Sequence, residues 1–142
     1  MSRSGYSDDC DGWSLIRWRG AVASGLRGKR GQEFLKEALA ALDAMPVKRL
    51  ITDELKAEGS YCTLGVVGEA RGMDMDAIDP YNAADVSAKL GISFAMAKEI
   101  VYLNDEGWYD ETPEHRWRRM REWVASNIRP DAKTPTAQVG GQ

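Results

Sequence analysis

The stretch QEFLKEALAALDA, Gln32 to Ala44, decides the fold class. Leu35, Ala38, Leu39 and Leu42 recur at the three- and four-residue spacing of one helical face. Phe34, Ala41 and Met45 widen that face, and Pro46 stops the helix. An apolar face this broad has to be covered by other elements, and the same period recurs on both sides of it.

Downstream, Asn82 caps a helix over Ala83–Leu90 that Gly91 closes. Ser93 caps the next, from Phe94 to about Asn104, with Ala97, Ile100, Val101 and Leu103 inward; Gly107 ends that region. Thr112-Pro113 is a helix start, a capping hydroxyl followed by proline at the first helical position. The last helix runs to about Ile128 on a stripe of Trp117, Met120, Val124 and Ile128. Upstream, Asp11 caps a helix from about Trp13 to Leu26 with Leu15, Trp18, Val22 and Leu26 on one side. Gly20 and Gly25 weaken it by roughly 1 kcal/mol each relative to alanine. Gly28 and Gly31 punctuate a basic turn, GKRG, before the Gln32 helix.

Between these helices, Leu50–Leu55 and Ser60–Leu64 flank KAEG and read as a short hairpin, with a broken helix through Lys48–Ala57 as the alternative. Thr63 to Arg71 reads as a short glycine-containing helix ended by Gly72, and MDMDAIDPYN as a loop. The expectation is a mainly α fold: a single compact domain of five or six helices with at most one small β-hairpin. Residues 1–10 are expected to be flexible, 11–129 to form the helical domain, and 130–142 to be a disordered tail. Trp18, Leu39, Leu42, Val86, Leu90, Ile100, Trp117 and Val124 are expected to be largely buried.

The chain has 142 residues, 43% hydrophobic and 29% charged, ordinary for a globular domain with its own core. No window reaches the roughly eighteen consecutive apolar residues of a membrane span. The start lacks the apolar stretch of a secretory signal, and two cysteines, Cys10 and Cys62, are too few for a disulfide framework. A reducing cytosol is the expected compartment.

The net charge of −3 is unevenly spread. Residues 1–50 carry a net +3, residues 51–112 a net −9 and residues 113–142 a net +3. The reading preferred here is internal neutralisation, basic ends folding back on an acidic centre. The sharper reading is a basic face for an anionic partner and an acidic face for a cationic one. The basic end is concentrated. From Gly12 to Gln32 there is no acid, while Arg17, Arg19, Arg27, Lys29 and Arg30 are interleaved with two tryptophans and five glycines. Cations interleaved with aromatics bind phosphate and stack on bases, and they also make protein interfaces. GLRGKRG lacks the lysine-serine/threonine ending of a phosphate-binding loop, so a nucleotide site is not expected.

Val86, Leu90, Gly91, Ile92, Ala97 and Ile100 follow the spacing of a helix-turn-helix motif. The exposed face of its second helix would offer Ser93, Phe94, Lys98 and Glu99 to a nucleic acid, without the Arg, Asn or Gln that reads base edges. An ordinary helical hairpin is the preferred reading. In the last helix Arg116, Arg118, Arg119 and Arg121 spread around the axis; Arg119 lies one turn from Trp123, in reach of stacking on it, but a solvated face pairing with the acidic middle is the preferred reading.

Asp8, Asp9 and Asp11, and separately Asp74, Asp76 and Asp79, do not follow a calcium-loop pattern, and no metal or cofactor is expected. His115 is the sole histidine and Cys62 reads as a small core residue, so no catalytic residue is assigned and the chain is read as non-enzymatic.

The string SGYSDDCDGWSLIRWRGAV, continuing through RGKRGQ-FL, resembles a family of small accessory proteins encoded by tailed bacteriophages and prophages. The likeness continues through LGVVGEARGMD, the stretch from KLGIS to IVYLNDE, and ETPEHRWRRMREWV, so it spans nearly all the chain up to Arg129. It implies a phage accessory protein acting in the cytoplasm of the bacterial host and transfers no functional residue. The expected function is binding of a host or phage macromolecule, a protein being favoured, with Arg17, Arg19, Arg27, Lys29 and Arg30 in the binding surface. The alternative is nucleic acid, held by that basic segment and by Ser93, Phe94 and Lys98 of the hairpin over 83–104. No membrane partner is expected, and the sequence sets no oligomeric state.

Overall fold

The helical periods of the sequence become helices in the structure, a computed structural model that describes residues 12–106 and 110–130. The elements in chain order are α1 (Gly12–Arg27), α2 (Lys29–Ala44), β1 (Lys56–Ala57), β2 (Ser60–Tyr61), α3 (Thr63–Ala70), a 3-10 turn at Met75–Ala77, α4 (Ala83–Leu90), α5 (Phe94–Glu106) and α6 (Pro113–Asn127). The fold is mainly α with one two-stranded antiparallel hairpin. Several ends are fixed by side chains that take the orphan amides of a first turn. Asn82 Oδ1 accepts from the Asp85 amide at 3.1 Å, Ser93 Oγ from Met96 at 3.1 Å and Thr112 Oγ1 from His115 at 3.1 Å. Gly91, at φ +75°, closes α4 in the left-handed conformation that glycine adopts without strain.

The α2 helix is central. It packs on α3 and α6 and meets α1 at the corner, while α5 packs on α1, α3, α4 and α6. Phe34, Leu35, Ala38 and Leu42 of α2 are buried with Leu64 and Val67 of α3, Met96 and Ile100 of α5, and Met120 and Val124 of α6. One buried polar residue ties three segments together. Asn104 Oδ1 accepts from the Thr63 amide and hydroxyl at 3.0 and 2.8 Å, and its Nδ2 donates to the Ile51 carbonyl at 2.9 Å.

Several expectations are corrected. Gly31 is not turn punctuation. Only Gly28 leaves the helical conformation, with φ −66° and ψ 163°, and Lys29, Arg30 and Gly31 form the first turn of α2. Gly31 is instead a packing glycine, its Cα pressed against the Gly25 carbonyl. The hairpin exists, but its strands are Lys56–Ala57 and Ser60–Tyr61, paired Lys56 to Tyr61 and Ala57 to Ser60. Leu50–Leu55 is irregular because Asp53 adopts φ +70°, which interrupts an extended strand. Leu50 and Leu55 are buried all the same. No helix runs through Lys48–Ala57.

In α5 the inward residue after Val101 is Asn104, and Leu103 is only partly buried. Leu42, Val86, Leu90, Ile100 and Val124 are buried as expected, whereas Trp18, Leu39 and Trp117 are partly covered. Trp117 reaches the surface because its indole nitrogen donates to the Leu42 carbonyl at the α2–α6 seam, beneath the Lys48 ammonium. The expectations for residues 1–10, the Asp11 cap, the Gly107 stop and the tail after Pro130 lie outside the described residues.

Candidate functional site

The charges of the C-terminal helix are used inside the molecule. Glu111, just before α6, has a side chain only 1% exposed, and Arg119 grips it with two bonds, Nε to Oε2 at 2.7 Å and Nη2 to Oε1 at 2.8 Å. His115 Nδ1 lies 2.6 Å from Oε2. Arg116 donates to the Leu50 carbonyl at 2.8 Å; its buried Nε sits 3.4 Å from Glu111 Oε1, near enough for charge attraction but not aligned for a hydrogen bond. Burial pushes the Glu111 carboxyl up, but hydrogen bonds from Arg119 and His115 and the charges of Arg119 and Arg116 outweigh it and hold it below the ordinary range. Arg119 therefore serves Glu111, the pairing with the acidic middle preferred from sequence over stacking on Trp123. Arg121 binds Asp43 of α2 at 2.6 Å and Arg71 binds Glu37 at 2.7 Å; the hydrogen bond from each arginine lowers the pKa of its carboxylate partner.

The cations of α1 and the α1–α2 corner are placed differently. Arg17, Arg19, Arg27, Lys29 and Arg30 are all exposed, and none makes a side-chain hydrogen bond or ion pair among the described residues. Internal neutralisation thus accounts for Arg71, Arg119 and Arg121 and leaves the N-terminal five out. They fall into two groups. Arg17 and Arg27 are ten residues apart, about 15 Å along a helix axis, so Arg17 and Arg19 belong to the first half of α1 while Arg27, Lys29 and Arg30 ring the corner.

Packing then joins two sets of residues that the sequence keeps about 75 positions apart. The α1 helix lies on α5. Trp18 meets Phe94 edge-on, with centroids 6.4 Å apart and ring planes at 88°. The Lys98 ammonium stands over both rings, 5.5 Å from the Trp18 centroid and 5.3 Å from that of Phe94. Gly25 approaches Ser93, where a methyl group would lie 2.5 Å from Oγ. Phe94 and Lys98 therefore meet α1 at Trp18, the residue between Arg17 and Arg19, while Ser93 meets it two turns further on at Gly25, and α1 covers part of the face that a nucleic-acid groove would have to meet. Leu15, Ile16 and Phe94 remain 40%, 63% and 47% exposed. The side chain of Trp13 lies outside the described part.

Other features have structural work to do. Asp74 caps the 3-10 turn and Asp79 accepts the Tyr81 amide. Cys62 is buried, its sulfur accepting from the Gly65 amide at the start of α3. Among the described residues no three His, Cys, Asp or Glu side chains are grouped to hold a metal, and no helix is long and apolar enough to cross a membrane. An apolar cavity of about 320 Å³ opens between the end of α2, the hairpin and α3, lined by Met45, Val47, Tyr61 and Val66 among others.

The fold and surface define a small helical protein with a cation-flanked apolar crest. No protein-family model matches the chain, and no solved structure matches it. Among curated proteins it is similar to the FO synthases of Mycobacterium tuberculosis (strains CDC 1551 and H37Rv) and Mycobacterium bovis, each 29% identical over 120 residues. The match covers 83% of this chain but spans only 12% of the length of those synthases.

Sequence reading had singled out the cations and the Ser93–Lys98 face separately. It missed Glu111, Asn104 and Gln32. A glutamate before a Thr-Pro helix start, followed by His and Arg one and two turns on, is the signal that would have found Glu111.

Proposed function

We propose that this chain is a non-enzymatic accessory protein of the tailed-phage and prophage kind, which binds a protein partner in the cytoplasm of the bacterial host through the α1–α2 corner and the adjoining α1–α5 crest. One observation carries the reading. Five cations on this surface have no partner among the described residues, while the arginines at Glu37, Asp43 and Glu111 are already engaged. Exposed aliphatic side chains beside them favour protein over nucleic acid, since a phosphate backbone gains nothing from Leu15 or Ile16. The similarity to part of FO synthase enters as a shared module only.

The test is capture from infected-host lysate, with and without nuclease, using wild type and the Arg27→Ala, Lys29→Ala, Arg30→Ala triple variant. A protein retained after nuclease and lost with the triple variant, at unchanged melting temperature, supports the reading. Retention abolished by nuclease, with steep loss of binding as salt rises, points to the nucleic-acid alternative. Capture that survives the triple change reduces the cluster to a solvated turn.

A further inference from the structure

We propose that the crest formed by α1 and α5 is a docking face for an acidic amphipathic helix of the partner, a proposal that rests on the protein-binding reading above and goes beyond it. Leu15 lies one turn before Trp18, and Trp18 touches Phe94, so Leu15, Trp18 and Phe94 make a strip across two packed helices, while Ile16, two residues before Trp18, lies on the opposite face of α1. Of the five large hydrophobic side chains most exposed among the described residues, Leu15 and Phe94 belong to this strip; Ile16 lies on the opposite face of α1, and Val47 and Tyr81 lie on other segments. Arg17 and Arg19 flank the strip without a partner among the described residues, and α1 contains no acid.

Charge complementarity selects the occupant. A surface of aliphatic and aromatic groups edged by guanidinium groups fits a helix that presents apolar residues at i, i+3, i+4 and i+7 with carboxylates beside them. The α1 helix has 16 residues, about 24 Å, which matches four to five turns of a partner helix. Nucleic acid fits less well. Base stacking needs an open ring face, and here the Lys98 ammonium stands over both rings while the edge of one meets the other.

The probe is a fluorescent Leu/Glu peptide of about five turns with helical apolar spacing, set against a scramble of the same composition and a single-stranded oligonucleotide. Anisotropy with the full chain should give micromolar affinity for the patterned peptide and at least about tenfold weaker binding of the scramble. Leu15→Ser should weaken binding about tenfold, as should Arg17→Glu with Arg19→Glu, while Tyr81→Ser leaves it unchanged. Melting curves check that each variant folds, and Phe94→Ser is the second apolar probe should Leu15→Ser not fold.

Equal binding of the scramble, no binding below millimolar, tighter binding of the oligonucleotide, or displacement of a second copy of this chain in place of peptide binding would each overturn the assignment. The two levels separate cleanly. If the corner triple variant loses the captured protein while the Leu15 and Phe94 variants keep it, the crest assignment fails and the protein-binding reading stands. If capture proves nuclease-sensitive, the reading itself fails.

Discussion

At the scale of single residues, two glycines of the N-terminal helices have opposite meanings. A Cβ on Gly31 would run into the Gly25 carbonyl, backbone against backbone, whereas one on Gly20 meets nothing within 4 Å. Gly31→Ala is therefore expected to destabilise the chain by about 1–3 kcal/mol, and Gly20→Ala to stabilise it by up to about 1 kcal/mol, read as urea midpoints at constant slope. Equal effects at the two positions would refute the corner packing. Glu111 gives a pH-dependent counterpart. Its carboxyl is held below the ordinary value of 4.5, so its contribution is complete above that range and is lost as pH falls through the lower folded value. Removing one partner of a buried pair costs about 3–5 kcal/mol, so Glu111→Gln should lower the melting temperature at neutral pH and flatten its fall on the acid side. A wild-type acid limb that the substitution leaves unchanged would assign acid lability elsewhere.

At the scale of elements, Gln32 holds two helix ends at once. Its Nε2 donates to the Leu26 carbonyl at 2.7 Å and the Asn127 carbonyl at 3.0 Å, and its Oε1 accepts from the Arg129 amide at 2.8 Å. Net hydrogen bonds contribute about 0.5–1.5 kcal/mol each, so Gln32→Ala should cost about 2 kcal/mol and speed amide exchange at the ends of α1 and α6 while sparing α3. Exchange that rises uniformly would show a global effect instead. The hairpin carries a local mismatch: Glu58 and Gly59 are its two loop residues, at φ +51° and +80°, the arrangement of a type I′ turn. That turn favours asparagine at its first position, so Glu58→Asn should stabilise the fold by a few tenths to about 1 kcal/mol in a thermal melt.

At the scale of the whole molecule, α1 is the least embedded helix by its described side chains. Of its described side chains only Val22 is buried, against Phe34, Leu35, Ala38 and Leu42 in the next helix. Segments with few buried contacts open below the global free energy. Native-state hydrogen exchange should therefore show α1 opening first and α2 only with global unfolding; equal protection of the two would place α1 in the core. A helix that is weakly anchored, basic and apolar on its outer side is suited to a binding role, because contacts with a partner are then not in competition with the core.

What the sequence determined by itself is the element list. Local period, Asn82, Ser93 and Thr112 at helix starts, Gly91 at an end and Pro113 at a first turn act within a few residues, so α4, α5 and α6 start where the sequence places them. The end of α5 and the hairpin register were not legible, because Asn104 and Leu55 answer to Thr63, Ile51 and Cys62 across the fold. The site was half legible. Its cations and the Ser93–Lys98 face stand out in composition and spacing, but a sequence does not state which side chains meet. Only the tertiary structure decided that α6's Arg121 closes on Asp43 of α2 while α1's Arg17 and Arg19 stay exposed. Only packing decided that Trp18 meets Phe94. Ion pairing and ring contact depend on distance in space, and helix packing sets that distance.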